Sequence, residues 1–472
     1  MTKQYAMTIG GATVTTDNYR EIRNPANTDE VVGLAPVGGK AQLDQAVAAA
    51  QEAFSSWRHS SEEQRIAACN AIAEVATEYA DELAHLLSKE QGKPLEGFGA
   101  RFEIGGCGAW AAYTAGLSLP DKLIEESEQK KVVMQRAPLG VVGSITPWNF
   151  PVLIMIWHIA PALRTGNTVV IKPSPYTPLT SLRFIELLAE KLEPGLVNIV
   201  SGGDELGAQL TGHRGINKIV FTGSIATGKK VMASAANGVV PVTLELGGND
   251  AGILLPGTDP KQFAEGLFWG SMINSGQTCG ALKRLYVHDD DYDATCTALE
   301  DVAASIRVGD GADPDTVLGP LQNKAQFDRV AELVEDAKAN GARILCGGAP
   351  AGGNNYLYPV TIIADVSDGV RIVDEEQFGP VLPIIRYSDV NEAVARANGL
   401  DYGLDASVWG TDKDELQRVA GLLEAGTVYI NKHAEIAPNI PFGGIKCSGL
   451  GVEFGEEGLA AYTSIKVINA AA

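Results

Sequence analysis

Runs of β-branched residues alternate with helical segments between residues 140 and 248, and this alternation limits the possible folds more than any other feature of the chain. Four runs indicate strands: Val141–Ile145, Thr168–Ile171, Leu196–Val200 and Lys218–Phe221. Helical segments lie between them, including Pro178–Leu192 and Glu205–Leu210. Strands that alternate with helices form parallel βαβ units, whose ligand crevice lies at the carboxyl ends of the strands. We therefore predict an α/β fold with a parallel sheet.

The length of 472 residues is too great for one compact core, so roughly two or three domains are expected. Apolar residues repeat every three or four positions from Leu43 to Leu83, which predicts helices before the parallel region, and Gly92 supplies a stop signal. Near Gly247 the chain enters a second region of alternating strands and helices. In that region Gln262–Ser275 is predicted to form a helix.

Charge and apolar content exclude several classes of partner. The formal net charge of −21 disfavours nucleic acid, because an acidic surface repels the phosphate backbone. The first six residues lack the apolar core of a signal peptide, and the most apolar stretch, Val152–Leu163, is too short to cross a bilayer. We therefore expect a soluble, cytoplasmic protein with no membrane partner.

The six cysteines form no C-x-x-C pair, so neither a metal site nor a disulfide framework is expected.

Two residues in glycine-rich surroundings are candidate catalytic groups, one as a nucleophile and the other as a general base. Cys279 lies among small and polar residues, from Asn274 to Gly280, which leave its sulfur accessible to a carbonyl compound. Glu245 lies between two leucines at the start of a glycine turn, where partial burial would raise its pKa and make it a general base. The alternatives are an inert turn cysteine and an ordinary glutamate at a strand edge.

Polar residues at the ends of predicted strands are further candidates. Asn149 lies in a stiff turn between Pro147 and Pro151, where its amide could donate to a developing oxyanion. Asn and Pro are also favoured in turns for purely structural reasons. Lys172 and Ser174 end another strand, where they could contact a ribose or a phosphate, although a solvated strand end is the simpler interpretation.

The glycine turn after Phe221 fits a pyrophosphate at a helix N-terminus. Gly223, Gly228 and Lys229 also have the spacing of an ATP-binding P-loop. The next residue of a P-loop must be Ser or Thr to hold magnesium, and here it is Lys230. An ATPase is therefore disfavoured.

In this order, and together with the later segments Glu375–Pro380 and Pro441–Gly449, these motifs resemble the aldehyde dehydrogenase superfamily over nearly the whole chain. The resemblance implies a Rossmann-like cofactor domain, residues 1–119 and 139–248, and an α/β catalytic domain, residues 249–448. It also implies a small β oligomerisation element, residues 120–138 and 449–472, and a homodimer or homotetramer.

The resemblance further implies the oxidation of an aldehyde to its acid through a thioester on Cys279. Asn149 and the Cys279 backbone N–H would stabilise the oxyanion, and Glu245 would activate water. Lys172 completes the catalytic set, and Lys172 and Glu376 would hold ribose hydroxyls. The implied cofactor-binding residues are Thr146, Pro147, Trp148, Lys172, Ser174, Gly203, Phe221, Thr222, Gly223, Ser224, Glu245, Leu246, Gly247, Glu376 and Phe378.

Two positions depart from the family pattern. Many relatives that prefer NAD carry a glutamate three residues after the lysine that Lys172 matches, and here that position is Pro175. The cofactor is therefore expected to be NAD or NADP, with NAD favoured as the commoner of the two. The other departure is Val452, where relatives usually have an arginine, so contacts near the C-terminal arm are expected to differ.

The substrate pocket implied by the resemblance is mainly apolar and aromatic: Phe150, Leu153, Ile154, Trp157, Thr278, Gly280, Ile436 and Phe442. The nearest cation, Arg284, occupies a position that looks structural in the family. We therefore expect a neutral aromatic or medium-chain aliphatic aldehyde, with a polar or cationic preference possible through His433 and Glu435. The alternatives are a semialdehyde dehydrogenase, a CoA-acylating aldehyde dehydrogenase and a homologue without catalysis.

Overall fold

The structure is a computed structural model that describes residues 2–471. Its N-terminal part contains two strand pairs followed by four helices: β1 (Met7–Ile9), β2 (Ala12–Val14), β3 (Tyr19–Asn24), β4 (Asn27–Pro36), α1 (Lys40–Trp57), α2 (Glu62–Glu78), α3 (Ala80–Gln91) and α4 (Ala100–Gly116). Helix α3 ends at Gly92, whose φ of 95° lies in the left-handed region that glycine tolerates, as the predicted stop signal requires.

A β-hairpin and the alternating region follow: β5 (Lys122–Glu126), β6 (Lys130–Pro138), β7 (Val141–Ile145), α5 (Leu153–Arg164), β8 (Thr168–Lys172), α6 (Leu179–Ala189), β9 (Val197–Ile199), α7 (Asp204–Thr211), β10 (Lys218–Thr222), α8 (Ile225–Ala236) and β11 (Val242–Glu245). The four predicted strands are present, and only the third is shortened, to Val197–Ile199. Each of β7, β8, β9 and β10 is buried along its length, as expected of strands covered on both faces.

The second half of the chain contains β12 (Asp250–Leu254), α9 (Pro260–Met272), β13 (Leu282–His288), α10 (Tyr292–Ala303), α11 (Lys324–Ala339), β14 (Arg343–Cys346), β15 (Thr361–Val366), α12 (Arg371–Asp374), β16 (Val381–Tyr387), α13 (Val390–Ala397), β17 (Asp405–Trp409), α14 (Lys413–Ala420), β18 (Thr427–Ile430), β19 (Gly449–Leu450), α15 (Gly455–Ala460) and β20 (Thr463–Ala471). Two short 3₁₀ turns, Ile273–Gly276 and Lys446–Ser448, complete the described elements. No helix within residues 2–471 is both long and apolar enough to cross a membrane.

Two large sheets organise these elements. The first has the order β19-β11-β10-β7-β8-β9-β1-β2, with β11 to β9 parallel, and the second has the order β14-β15-β16-β13-β12-β17-β18, in which only β14 is antiparallel. The predicted α/β fold class is confirmed. Strands β5, β6 and β20 form a separate antiparallel sheet, whereas β19 joins the first large sheet. The division of the chain into domains stays a prediction.

A buried ion pair joins the N-terminal helices to the turn after β7. Lys93 Nζ lies 2.5 Å from Glu103 Oε2, and neither side chain is exposed. Lys93 also donates to the Asn149 carbonyl at 2.9 Å, and Glu103 Oε1 accepts from the backbone N–H groups of Val152 and Leu153 at the start of α5. The pair therefore fixes α3, α4 and α5 relative to Asn149.

We expect Lys93→Met to destabilise the protein by about 3–5 kcal/mol, because the buried Glu103 carboxylate would lose its partner. The measurement is the apparent melting temperature by differential scanning fluorimetry. The matched control is Lys89→Met, which removes a partly exposed pair with Glu30 and should change stability by less than about 1 kcal/mol. Equal shifts for the two variants would contradict the prediction.

Candidate active site

The predicted cofactor residues meet at the carboxyl edge of the first large sheet. The parallel register pairs Ile145 of β7 with Lys172 of β8, and Thr222 of β10 with Glu245 of β11. Phe221 pairs with Ile145, so the four strand ends lie side by side. The predicted residues Thr146, Pro147 and Trp148 follow β7, and Leu246 and Gly247 follow β11 at this edge.

The glycine turn after β10 leads directly into helix α8. Ser224 caps this helix, since its Oγ accepts from the Thr227 N–H at 3.3 Å. Gly228 lies inside the helix, and a Cβ placed on it would come within 2.5 Å of the Leu246 side chain. Gly228 is therefore a packing position rather than part of a phosphate loop. The helix N-terminus next to Gly223 remains available to an anion.

Lys172 and Ser174 lie buried at the end of β8. Burial lowers the pKa of Lys172 to about 8, and the nearby Asp204 opposes this shift. Lys172 Nζ donates only to the Pro173 carbonyl, at 3.3 Å, among the described residues. Gly203 faces open space, because no atom lies within 4 Å of a Cβ placed there. The buried ammonium and the open backbone next to it fit the hydroxyl groups of a nucleotide.

The second large sheet contributes Glu376 and Phe378 to the same edge. A Cβ placed on Gly247 would lie 2.3 Å from Glu376 Oε2, so the carboxylate lies directly over the glycine turn after β11. The Phe378 ring packs edge-on against Trp148 at 5.3 Å between centroids. These contacts bring the predicted cofactor residues of both sheets together, and the resulting set fits a dinucleotide.

Cys279 lies in the loop between α9 and β13. Asn274, Ser275 and Gly276 all have φ between 52° and 70°, in the left-handed region. The prediction that a helix extends from Gln262 to Ser275 was therefore wrong at its C-terminal end, since α9 ends at Met272. A Cβ on Gly276 would lie 2.0 Å from the Gly379 carbonyl, so only glycine fits this close approach.

Asn149 reaches the cysteine loop. Its Nδ2 donates to the Gln277 carbonyl at 3.0 Å, and its own carbonyl accepts from Asn274 Nδ2 at 3.0 Å. Lys93 donates to that same carbonyl from the other side. The side-chain amide of Asn149 is therefore bonded to Gln277, two positions before Cys279. Asn149 is buried, so water does not compete for its amide.

Burial dominates the protonation of the two candidate reactive groups. It raises the pKa of the Cys279 thiol to about 12, and the ammonium of Lys283 opposes this shift. Burial also raises the pKa of Glu245 well above its ordinary value, and the Glu453 and Asp405 carboxyls add to the shift. Neither Glu245 oxygen has a hydrogen-bond partner within residues 2–471. An unpartnered carboxyl beside a thiol is suited to proton transfer to or from a reacting group.

The predicted pocket residues lie in different surroundings. Leu153 and Ile154 are buried in α5, and Thr278 and Gly280 flank Cys279. The half-buried Ile436 lies in the loop that follows β18.

Trp157 and Phe442 both contact the Phe454 ring, at 4.8 and 6.1 Å between centroids, and so belong to one aromatic cluster. Phe150 is buried with its ring 3.9 Å from Lys93 Nζ, so one of its faces is occupied by the ammonium. Arg284, predicted to be structural, donates to the carbonyls of Asn249 and Ala397.

Several buried titratable residues near the site were missed by the sequence analysis. Lys283 Nζ donates to the Cys279 carbonyl, and a Cβ on Gly280 would lie 2.2 Å from Asp405 Oδ2. His158 lies 3.3 Å from Glu453 Oε1. The available signal was a charged residue in an apolar run: Lys283 follows Leu282 in a β-branched strand, and Asp405 begins another. Within the described residues, no group of three or more His, Cys, Asp or Glu is arranged to hold a metal ion.

The model of the aldehyde dehydrogenase family matches residues 13–468. An aldehyde dehydrogenase from Fusarium sp is 38% identical over 463 residues, covering 98% of this chain and 97% of the relative. Human retinaldehyde dehydrogenase 3 is 38% identical over 454 residues, covering 94% and 88%. The NAD⁺ complex of an aldehyde dehydrogenase from Bacillus cereus has a TM-score of 0.96 at 36% identity, covering 99% and 97%. The resemblance is confirmed: the chain belongs to the aldehyde dehydrogenase family and is an NAD(P)-dependent aldehyde dehydrogenase.

Proposed function

We propose that the protein oxidises neutral aromatic or medium-chain aliphatic aldehydes to carboxylic acids through a thioester on Cys279, with Asn149, Glu245 and Lys172 completing the catalytic set. The observation that carries the proposal is the meeting of three groups in one buried place. The Asn149 amide is anchored in the cysteine loop, and the unpartnered Glu245 carboxyl lies close enough to raise the pKa of the thiol. A nucleophile, an amide donor and a base are the groups that acyl chemistry needs.

In the first step the Cys279 thiol releases its proton to solvent, and the thiolate sulfur attacks the aldehyde carbonyl. The negative charge that develops on the carbonyl oxygen is stabilised by the Asn149 amide and the Cys279 backbone N–H. Lys93 and Asn274 hold the Asn149 backbone carbonyl, and the bond from Asn149 Nδ2 to the Gln277 carbonyl holds its side-chain amide in the cysteine loop. The nicotinamide cofactor would supply one function when bound: it accepts the hydrogen of the aldehyde carbon together with its two bonding electrons, which leaves the thioester on Cys279.

In the second step Glu245 takes a proton from water, which attacks the thioester and releases the acid and the thiol. Only the ionised carboxylate can act in this way, and burial, with the nearby Glu453 and Asp405 carboxyls, raises the pKa of Glu245 above its ordinary value. A buried water-activating base also favours hydrolysis over transfer of the acyl group to CoA.

For the cofactor we propose that Lys172 and Glu376 hold ribose hydroxyls, and that the α8 N-terminus with Gly223 and Ser224 holds the pyrophosphate. Lys172 and Ser174 are buried at the strand end where the adenosine ribose would lie. No carboxylate occupies position 175 to repel a 2′-phosphate, so both NAD and NADP are accepted, with NAD preferred.

The proposed substrate class is supported by the aromatic cluster of Trp157, Phe442 and Phe454. Arg284 donates to backbone carbonyls and to Tyr286, so it is not free to pair with the distal carboxylate of a semialdehyde. The similarity to a relative named for retinaldehyde, an apolar aldehyde, points in the same direction.

For assembly we propose a homodimer or homotetramer that uses the sheet of β5, β6 and β20. Large apolar side chains are exposed on this sheet: Leu123, Ile124, Ile465, Val467 and Ile468. Exposed apolar side chains concentrated on one small sheet are typical of a surface that another subunit covers.

We expect the wild type to reduce NAD(P)⁺ faster with benzaldehyde and hexanal than with succinic semialdehyde, and Cys279→Ala to show no reduction with any of them. The reason is the loss of the only proposed nucleophile, and the measurement is the near-ultraviolet absorbance of the reduced cofactor. Cys346→Ala is the matched control and should keep wild-type turnover. Strong preference for the semialdehyde would overturn the substrate class, and an active Cys279→Ala variant would overturn the mechanism.

We expect Glu245→Gln to lower steady-state turnover by a factor of about 10²–10⁴, as is usual when a general base is removed. The first turnover should survive, so that a burst of reduced cofactor precedes the slow phase in stopped-flow absorbance. Wild-type turnover should rise with pH through the raised pKa of Glu245, because only the ionised form accepts a proton. The variant should lack this rise, and an unchanged pH profile would exclude Glu245 as the base.

We expect Pro175→Glu to lower kcat/KM for NADP at least about tenfold relative to NAD, because the new carboxylate would repel the 2′-phosphate. Pro175→Gln is the matched neutral control and should leave the ratio of the two kcat/KM values nearly unchanged. The two cofactors are compared at a saturating aldehyde concentration. The same ratio in both variants would mean that residue 175 does not face the adenosine ribose.

A further inference from the structure

Lys283 is a buried cation directly behind the cysteine loop. It is the second residue of β13, and only 3% of its side chain is exposed. Its Nζ donates to the Cys279 backbone carbonyl at 2.5 Å and lies 3.2 Å from Glu376 Oε1. The ammonium therefore bridges the loop of the nucleophile and a carboxylate of the proposed cofactor site.

The other charges around this ammonium are carboxyls. Asp250 begins β12 and Asp405 begins β17, the strand next to β12, and the Asp405 N–H donates to Asp250 Oδ1 at 3.1 Å. Burial raises the pKa of Asp250 to about 7, and Lys283 opposes this shift. The neighbouring Arg284 is bound to the carbonyls of Asn249 and Ala397.

The charges that face the Cys279 thiol come from several elements. Lys283 favours the thiolate, whereas Asp405, Glu245 and Asp250 favour the thiol. His433 also faces Lys283, but burial and this ammonium lower the pKa of His433 to about 3, so the imidazole is neutral at pH 7. The remaining titratable groups near Lys283 are Glu376 and Tyr402. Among these groups, Lys283 is the one cation.

The pair with Glu376 explains why an ammonium can be buried here, but not why it donates to the Cys279 carbonyl. An ammonium that only anchors a backbone carbonyl could be replaced by a neutral donor without the large cost of burying a charge. A buried cation next to a nucleophilic cysteine also favours the thiolate electrostatically. The donation to the Cys279 backbone carbonyl places this charge at the cysteine loop.

We propose that Lys283 is a positioning residue of the reaction: it holds the Cys279 loop through the backbone carbonyl and supplies the positive charge that favours the thiolate. The carboxylate of Glu376 competes for this charge, because it pairs with the same ammonium. The proposal rests on the proposed role of Cys279 as the nucleophile. It assigns to Lys283 no direct contact with the substrate or the cofactor.

The test is the rate of alkylation of Cys279 by iodoacetamide between pH 6 and 11, in the full chain without aldehyde or cofactor. Cys279→Ala supplies the background from the other five cysteines. Lys283→Met should displace the profile to higher pH by at least about one unit, and slow alkylation about tenfold at pH 8. Lys283→Arg, which keeps the charge, should stay close to the wild type.

Glu376→Gln should shift the alkylation profile in the direction opposite to Lys283→Met. Removal of the competing carboxylate should displace the profile to lower pH and speed alkylation at pH 8, which general damage to the loop would not do. A wild-type profile for Lys283→Met, or slowing by Lys283→Arg as large as that by Lys283→Met, would overturn the proposal. If Lys283→Met does not fold, an unshifted Glu376→Gln profile overturns it alone.

These outcomes are distinct from those that test the proposed function. Aldehyde oxidation by Cys279→Ala would remove the proposed nucleophile, whatever the alkylation profiles show. Unshifted alkylation profiles beside an inactive Cys279→Ala variant would leave the mechanism in place and remove only the role of Lys283.

Discussion

Hydrogen bonding between parallel strands is the interaction on which the rest of the site depends. The register of β7, β8, β10 and β11 aligns the carboxyl ends of these strands, so that Asn149, Lys172 and Glu245 lie along one edge although almost a hundred residues separate the first from the last. The second sheet contributes Cys279 and Glu376 by closing over Gly247.

Desolvation then sets the protonation of the carboxyl and thiol groups that the two sheets bring together. Glu245, Asp250 and Asp405 are buried and Cys279 is half-buried, and desolvation shifts the pKa of each towards the neutral form. In such surroundings one ammonium has a large influence, because water does not screen it. The two buried lysines have different partners. Lys93 pairs with Glu103 and fixes a turn, whereas Lys283 donates to the Cys279 carbonyl in the cysteine loop.

The sequence was sufficient for the fold class, the family and the reaction type, because these depend on local patterns such as β-branched runs and short motifs. It was insufficient for Lys283, Asp250 and Asp405, whose neighbours are distant in sequence and brought together by strand pairing. The predicted helix end at Ser275 failed for a related reason. Helical propensity is local, whereas the left-handed turn at Asn274 is held by contacts such as Ser275 Oγ to the Gly319 carbonyl. The roles of the individual site residues stay predictions.

The contact between Gly276 and Gly379 has a consequence for motion. A Cβ on Gly276 would overlap the Gly379 carbonyl, and Gln326 donates to the carbonyls of Gln377 and Phe378 from helix α11. The segment that carries Glu376 is thus clamped between the cysteine loop and that helix. If the two sheets rotate about a hinge, the Cys279 sulfur and the Glu376 carboxylate travel together as one rigid part. Opening the cleft would then change the distance of both from Lys172 and leave their mutual distance unaltered.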